Sequence, residues 1–130
     1  MTLRTETTQR RYDNFRTRKV AGDCYLCRGE TVREYRYWRI LENEYPYDRI
    51  ADRHHIVALK RHAPEHEMTA EERTEYERVR RDLHTRYDML FENTVRKKSI
   101  PGHHHLHAIT LRTEAATKHE TSRPLAALHE

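Results

Sequence analysis

The chain has 130 residues, with 25 Lys or Arg against 21 Asp or Glu and a formal net charge of +4 at pH 7. No stretch approaches the ~20 consecutive apolar residues of a membrane span, and no apolar segment follows the basic N-terminal residues as a secretory signal requires. One cytoplasmic domain is therefore expected. Leu, Ile, Val and Phe supply only 22 residues, so the core is thin and would gain from a bound metal or a second copy of the chain.

Residues 1–20 hold six Arg or Lys and few apolar groups. They read as a basic N-terminal arm, either loosely held or a short helix over the surface, whose charge could touch phosphates but is more simply solvated. Residues 21–112 carry the folded pattern. Val32, Tyr35, Tyr37, Trp38, Ile40 and Leu41 fit one or two strands. The run from Asn43 to Asp48 interrupts them as a turn around Pro46, and His55–Leu59 is an apolar run of strand length. Thr69 and Glu72 form a capping box that starts a helix. Tyr76, Val79, Leu83, Tyr87 and Leu90 extend that helix as one apolar stripe, and Phe91–Val95 leaves it as a further strand. A basic loop, Arg96–Lys97–Lys98–Ser99, precedes a Pro101-Gly102 turn. Residues 113–130 form a polar C-terminal tail.

The most informative feature follows that turn. His103, His105 and His107 recur at every second position in PGHHHLHAIT. In a strand this period places all three imidazoles on one face, about 6.5–7 Å apart, and turns Leu106 and Ala108 to the core. Imidazoles so aligned can ligate a metal, attack phosphorus or relay a proton near neutral pH. A surface histidine tract is the plainer reading, but such a tract seldom lies within an apolar strand.

Cys24 and Cys27 are the only cysteines. A C-x-x-C pair in a cytosolic chain points to metal or redox chemistry, and its spacing suits a zinc knuckle. Zinc then needs two histidines. His54, His55, His62, His66 and the strand triplet are candidates that spacing alone does not separate.

Taken together, NEYPYDRIADRHHIVALKRHAPE, a capped helix and HHHLHAI resemble the histidine triad superfamily of nucleotide hydrolases and transferases, over about Cys24 to Ile109. The resemblance implies an α+β fold, with an antiparallel sheet of about five strands, one long and one short helix, and a homodimer. By the same resemblance His105 is the nucleophile, with His107 and His54 orienting it or touching phosphate. The implied ligands of a structural zinc are Cys24, Cys27, His62 and His103. Asn43 and Tyr47 match a nucleoside pocket, while Asn93, Ser99 and Gly102 are candidate phosphate contacts.

The implied activity is hydrolysis or transfer of a nucleotide through a nucleotidyl-histidine, on nucleoside phosphoramidates or dinucleoside polyphosphates. This chain departs from the family pattern at NTVRKKSIPG, where three cations replace small residues and Ile100 stands where a Ser or Thr is common. His104 also occupies a position that is usually apolar. Two alternatives follow from these residues. One is a non-catalytic, zinc-stabilised nucleotide-binding module. The other is a ββα-metal nuclease using His54 or His55 as base. The basic excess suits phosphate-bearing partners and does not exclude nucleic acid.

Overall fold

The structure is a computed structural model, and it describes residues 2–18, 24–98 and 100–113. The expected C-terminal tail lies outside these residues except for Thr113. Among the described residues no helix is long and apolar enough to cross a membrane.

Five strands form one antiparallel sheet: β1 (Thr31–Glu34), β2 (Trp38–Glu42), β3 (Ala51–Leu59), β4 (Met89–Phe91) and β5 (His105–Leu111). Their spatial order is β1-β2-β3-β5-β4. Three helices accompany them: α1 (Glu6–Arg18), the single turn α2 (Tyr25–Arg28) and α3 (Ala70–His84). The α+β class and the antiparallel sheet agree with expectation.

Both faces of the sheet are covered, which is why its central strands read as nearly continuous apolar runs. Alternation sorts their side chains. Trp38, Ile40, Val57, Leu59, Leu106 and Ala108 pack with Val79 and Leu83 of α3. Leu41, Ile56 and Ala58 pack on the other face with Leu26 of α2. β3 and β5 pair so that Ala58 opposes His105 and Ile56 opposes His107. The odd-numbered histidines of β5 therefore share the α2 face with these small and branched side chains. His103 lies just before the strand, after the Pro101-Gly102 turn.

The capping box forms as read: Glu72 N–H donates to Thr69 Oγ1 at 3.1 Å and Thr69 N–H donates to Glu72 Oε1 at 2.8 Å. The helix is anchored where Trp38 Nε1–H donates to the Glu72 carbonyl at 2.9 Å. The buried Glu75 carboxylate accepts the peptide N–H groups of Arg36 and Tyr37, at 3.0 and 2.6 Å, at the β1–β2 turn. The apolar stripe overran the helix, which stops at His84. Asp88 N–H bonds the Ile109 carbonyl and Asp88 Oδ2 accepts from Leu111 N–H. Pairing with β5 thus draws Leu90 into β4, and only Phe91 of the expected Phe91–Val95 strand belongs to a strand.

The described part of the N-terminal arm is the surface helix of the two expected forms, and it is docked, not loosely held. Asp48, in the turn between β2 and β3, accepts from Thr5 N–H at 2.8 Å, Thr5 Oγ1–H at 3.1 Å and Thr8 Oγ1–H at 2.5 Å. Burial acts to raise the Asp48 pKa, but the Thr8 and Thr5 hydrogen bonds outweigh it and hold the carboxyl below its usual range. Tyr12, Phe15 and Tyr45 pack as a ring cluster with centroids 5.2 to 6.4 Å apart. Replacing Asp48 by Ala is expected to cost about 1–3 kcal/mol in urea unfolding and to expose α1 to limited proteolysis. An unchanged cleavage pattern would show that the ring cluster alone holds the helix.

Candidate functional site

On the α2 face the chain builds two adjoining centres. The first is a set of metal-ligating side chains. Cys27 Sγ lies 3.2 Å from His62 Nδ1, and both sulfurs lie 3.5 Å from His103 Nδ1. One ligand atom each from Cys24, Cys27, His62 and His103 falls within 4.8 Å of the others. A tetrahedral ion with metal–sulfur bonds of ~2.3 Å and metal–nitrogen bonds of ~2.0–2.1 Å sets neighbouring ligand atoms roughly 3.3–3.8 Å apart. The four residues are therefore spaced to hold a metal ion.

His103 is oriented for that duty. Its Nε2–H donates to the Leu59 carbonyl at 2.7 Å, which leaves the Nδ1 lone pair directed at the sulfurs. Burial lowers its pKa, which keeps the ring neutral as a ligand. Burial, then the hydrogen bond and charge of Cys24, raise the Cys27 thiol. A cation entering the cluster would displace protons from these thiols.

The second centre is the histidine pair of β5. His105 Nδ1 lies 2.8 Å from the His103 carbonyl oxygen. A carbonyl only accepts, so Nδ1 carries the proton and a neutral ring keeps its lone pair on Nε2. The neighbouring ring is set through a longer relay. Tyr47 N–H donates to His54 Nδ1 at 2.9 Å. His54 therefore carries its proton on Nε2, which lies 2.8 Å from His107 Nδ1. His107 accepts there and keeps N–H on Nε2. One backbone amide thus fixes two tautomers, and the β5 face presents a lone pair on His105 beside a donor on His107. The two ring centroids are 5.7 Å apart.

All three rings are buried, and burial is the chief reason that each pKa falls. His54 is lowered to about 4, with Arg4 and His55 acting in the same direction. His105 is also lowered to about 4, although its bond to the His103 carbonyl opposes the shift. His107 is lowered further, by burial and then by His54 and His105. Near neutral pH each ring is an uncharged base with a defined tautomer.

His105 and His107 line a cavity of about 810 Å³, within the range of small-molecule sites. Asn43, Tyr47 and Asn93 line it too. Asn43 Oδ1 accepts from Tyr45 N–H at 2.9 Å, a turn-forming bond, while its Nδ2 reaches both nitrogens of His54 at 3.4 and 3.2 Å. Asn93 Nδ2–H donates to Tyr47 Oη at 3.1 Å. His54 stands behind His107. Gly102 is not among the lining residues; a side chain there would meet His62 at 3.9 Å, so it belongs to the metal cluster's surroundings. Ser99 lies outside the described residues.

Phe91, Arg4 and Arg16 escaped the sequence reading, whereas the cations of the Arg96–Lys98 loop and His55 stood out in it. Phe91 opposes His107 across β4 and β5 and stacks on its ring at 4.9 Å between centroids. Arg4 lies over the Tyr12 and Tyr47 rings, at 4.0 and 4.9 Å, and lines the cavity with Arg16. Arg96, Lys97 and Lys98 close the same cavity from the loop before β5. His55 points to the opposite face, with Nδ1 2.6 Å from Tyr87 Oη and Nε2 3.3 Å from Glu42 Oε2.

Comparison with family models, curated proteins and solved structures yields no match at a significant level.

The lowered pKa values make stability depend on pH. As pH falls below about 6.5 the unfolded chain protonates these histidines first, so stability is full above that value and declines toward about 4, where His54 itself takes a proton. Between pH 7 and 5 each of His54 and His107 should contribute a loss on the order of 2 kcal/mol. Urea unfolding at the two pH values should show a smaller loss in a His54→Asn, His107→Asn double variant than in the wild type. Equal losses would show that neither ring is shielded from protons in the folded chain.

Proposed function

We propose that the protein is a nucleotide-phosphate hydrolase or nucleotidyl transferase that works through a covalent nucleotidyl-histidine on His105. The observation that carries this reading is the bond from His105 Nδ1–H to the His103 carbonyl. It leaves an uncharged Nε2 lone pair at the wall of a cation-lined cavity. The order of knuckle, strand, capped helix and histidine strand, which resembles the histidine triad superfamily, supports it as well.

In the proposed reaction Nε2 attacks phosphorus and forms a P–N bond, and the leaving group departs with the electrons of its own bond to phosphorus. The ring then carries positive charge, with Nδ1–H still held by the His103 carbonyl. His107 Nε2–H is a fixed donor for a phosphoryl or leaving-group oxygen, with no reorganisation needed. Attack by water or another acceptor breaks the P–N bond and returns its electrons to Nε2. Arg4, Arg16, Arg96, Lys97 and Lys98 offset the phosphate charge. Phosphoramidates or dinucleoside polyphosphates fit this chemistry.

Zinc suits two thiolates and two imidazoles, and four protein ligands leave no open position, so its role is structural. Cys24, Cys27, His62 and His103 would hold it, and through His103 it would steady the carbonyl that orients His105. Cobalt loading is expected to give a thiolate charge-transfer band that Cys27→Ser loses. Chelation should lower the thermal midpoint of the wild type and leave that variant unmoved. Equal chelator sensitivity in both proteins would count against the ligand set.

A metal nuclease is less well served. His54 has both ring nitrogens engaged, and His55 faces away from the cavity. The catalytic reading is tested with a nucleoside phosphoramidate labelled at phosphorus. The wild type should trap label as an acid-labile histidine adduct. His105→Ala should lose the adduct, and turnover should fall by about three orders of magnitude or more. If His105→Ala binds nucleoside monophosphate like the wild type, and the wild type turns over no substrate tried, the chain is a binding module.

A further inference from the structure

His104 takes no part in the site described above. It points to the α3 face of the sheet, where its ring meets Trp38 edge-on at 5.8 Å. The residue is only 7% exposed, and its Nδ1 is buried without a hydrogen-bond partner among the described residues. An unsatisfied buried ring nitrogen is costly and calls for a partner. Two carboxylates stand beside the ring. Glu65 comes from the 3-10 turn Glu65–Glu67 that precedes α3, and Glu92 follows β4 directly. One ligand atom from each of Glu65, Glu92 and His104 lies within 4.8 Å of the other two.

We propose that Glu65, Glu92 and His104 form a second divalent-cation site, on the sheet face opposite the His105–His107 pair. One imidazole with two carboxylates suits a first-row ion, borderline Zn²⁺ or the harder Mn²⁺, better than Ca²⁺ or Mg²⁺. Three ligands from three separate segments leave coordination positions directed to solvent. All three residues line an open cavity of about 620 Å³, which gives an ion a path in and room for its waters. Lys98 Nζ lies 3.5 Å from Glu92 Oε1. That pairing occupies one oxygen of the carboxylate and opposes a cation electrostatically, so the site is weaker than the cysteine cluster. An ion here would fix the His104 side chain between His103 and His105. The proposal does not depend on the catalytic reading.

The test uses full-length, zinc-loaded protein titrated with Mn²⁺, with free ion counted by electron paramagnetic resonance. One Mn²⁺ per chain is expected, with spin-echo modulation from one imidazole nitrogen. Glu65→Gln, which leaves the Lys98–Glu92 pair intact, should weaken binding about ten-fold or more, as should Glu92→Gln. Circular dichroism and zinc content should stay unchanged in both variants. No Mn²⁺ uptake at millimolar concentration would overturn the site, as would wild-type affinity in both variants or bound Mn²⁺ without nitrogen coupling.

Discussion

His103 joins two centres through three atoms of one residue. Its Nδ1 faces the sulfurs of Cys24 and Cys27, its Nε2–H is held by the Leu59 carbonyl, and its own carbonyl holds the Nδ1 proton of His105. Each bond fixes the next. Leu59 ends β3 and His105 begins β5, so the β3–β5 ladder sets the spacing on which all three depend. A ring that was mobile at His103 would loosen the cluster that could hold a metal ion, whereas the His105 tautomer rests on the backbone carbonyl.

Burial does the chemical tuning. An imidazole in water is part protonated near neutral pH, and a protonated ring has no lone pair to attack with. Here the sheet and the cavity wall remove water from His54, His105 and His107, and their pKa values fall well below neutrality. Desolvation is normally a cost. In this chain it keeps the three rings uncharged, and backbone groups that need partners anyway choose which nitrogen carries the proton. Arg4, Arg16 and the Arg96–Lys98 loop ring the same cavity with positive charge, Lys98 lying 3.5 Å from Glu92. Uncharged imidazoles within a positive rim make a cavity that attracts anions.

The helix α1 changes the picture that composition suggests. A basic, aliphatic-poor arm has little to bury, and its charges favour a solvated tail. Asp48 supplies the missing interaction by accepting three hydrogen bonds from Thr5 and Thr8, and Tyr45 adds ring contact with Tyr12 and Phe15. None of these partners is near in sequence, so local pattern carried no sign of them. The arm thereby becomes a wall of the cavity.

Where chemistry depends on local period, the residues were legible in the chain itself. The capping box at Thr69 and Glu72 was one such signal; the alternation that puts His105 and His107 opposite Leu106 and Ala108 was another. The α+β class was implied by the resemblance, and the order of such signals agreed with it. Contacts that join distant segments were not legible. The end of α3 at His84, the stacking of Phe91 on His107, the docking of Arg4 and the orphaned nitrogen of His104 all depend on which strands become neighbours. Even the meeting of Cys24 and Cys27 with His62 and His103 was suggested only by resemblance, because spacing left several histidines equivalent. A side chain's face is a property of its own strand, whereas its partner is a property of the sheet, and only the folded sheet decides that.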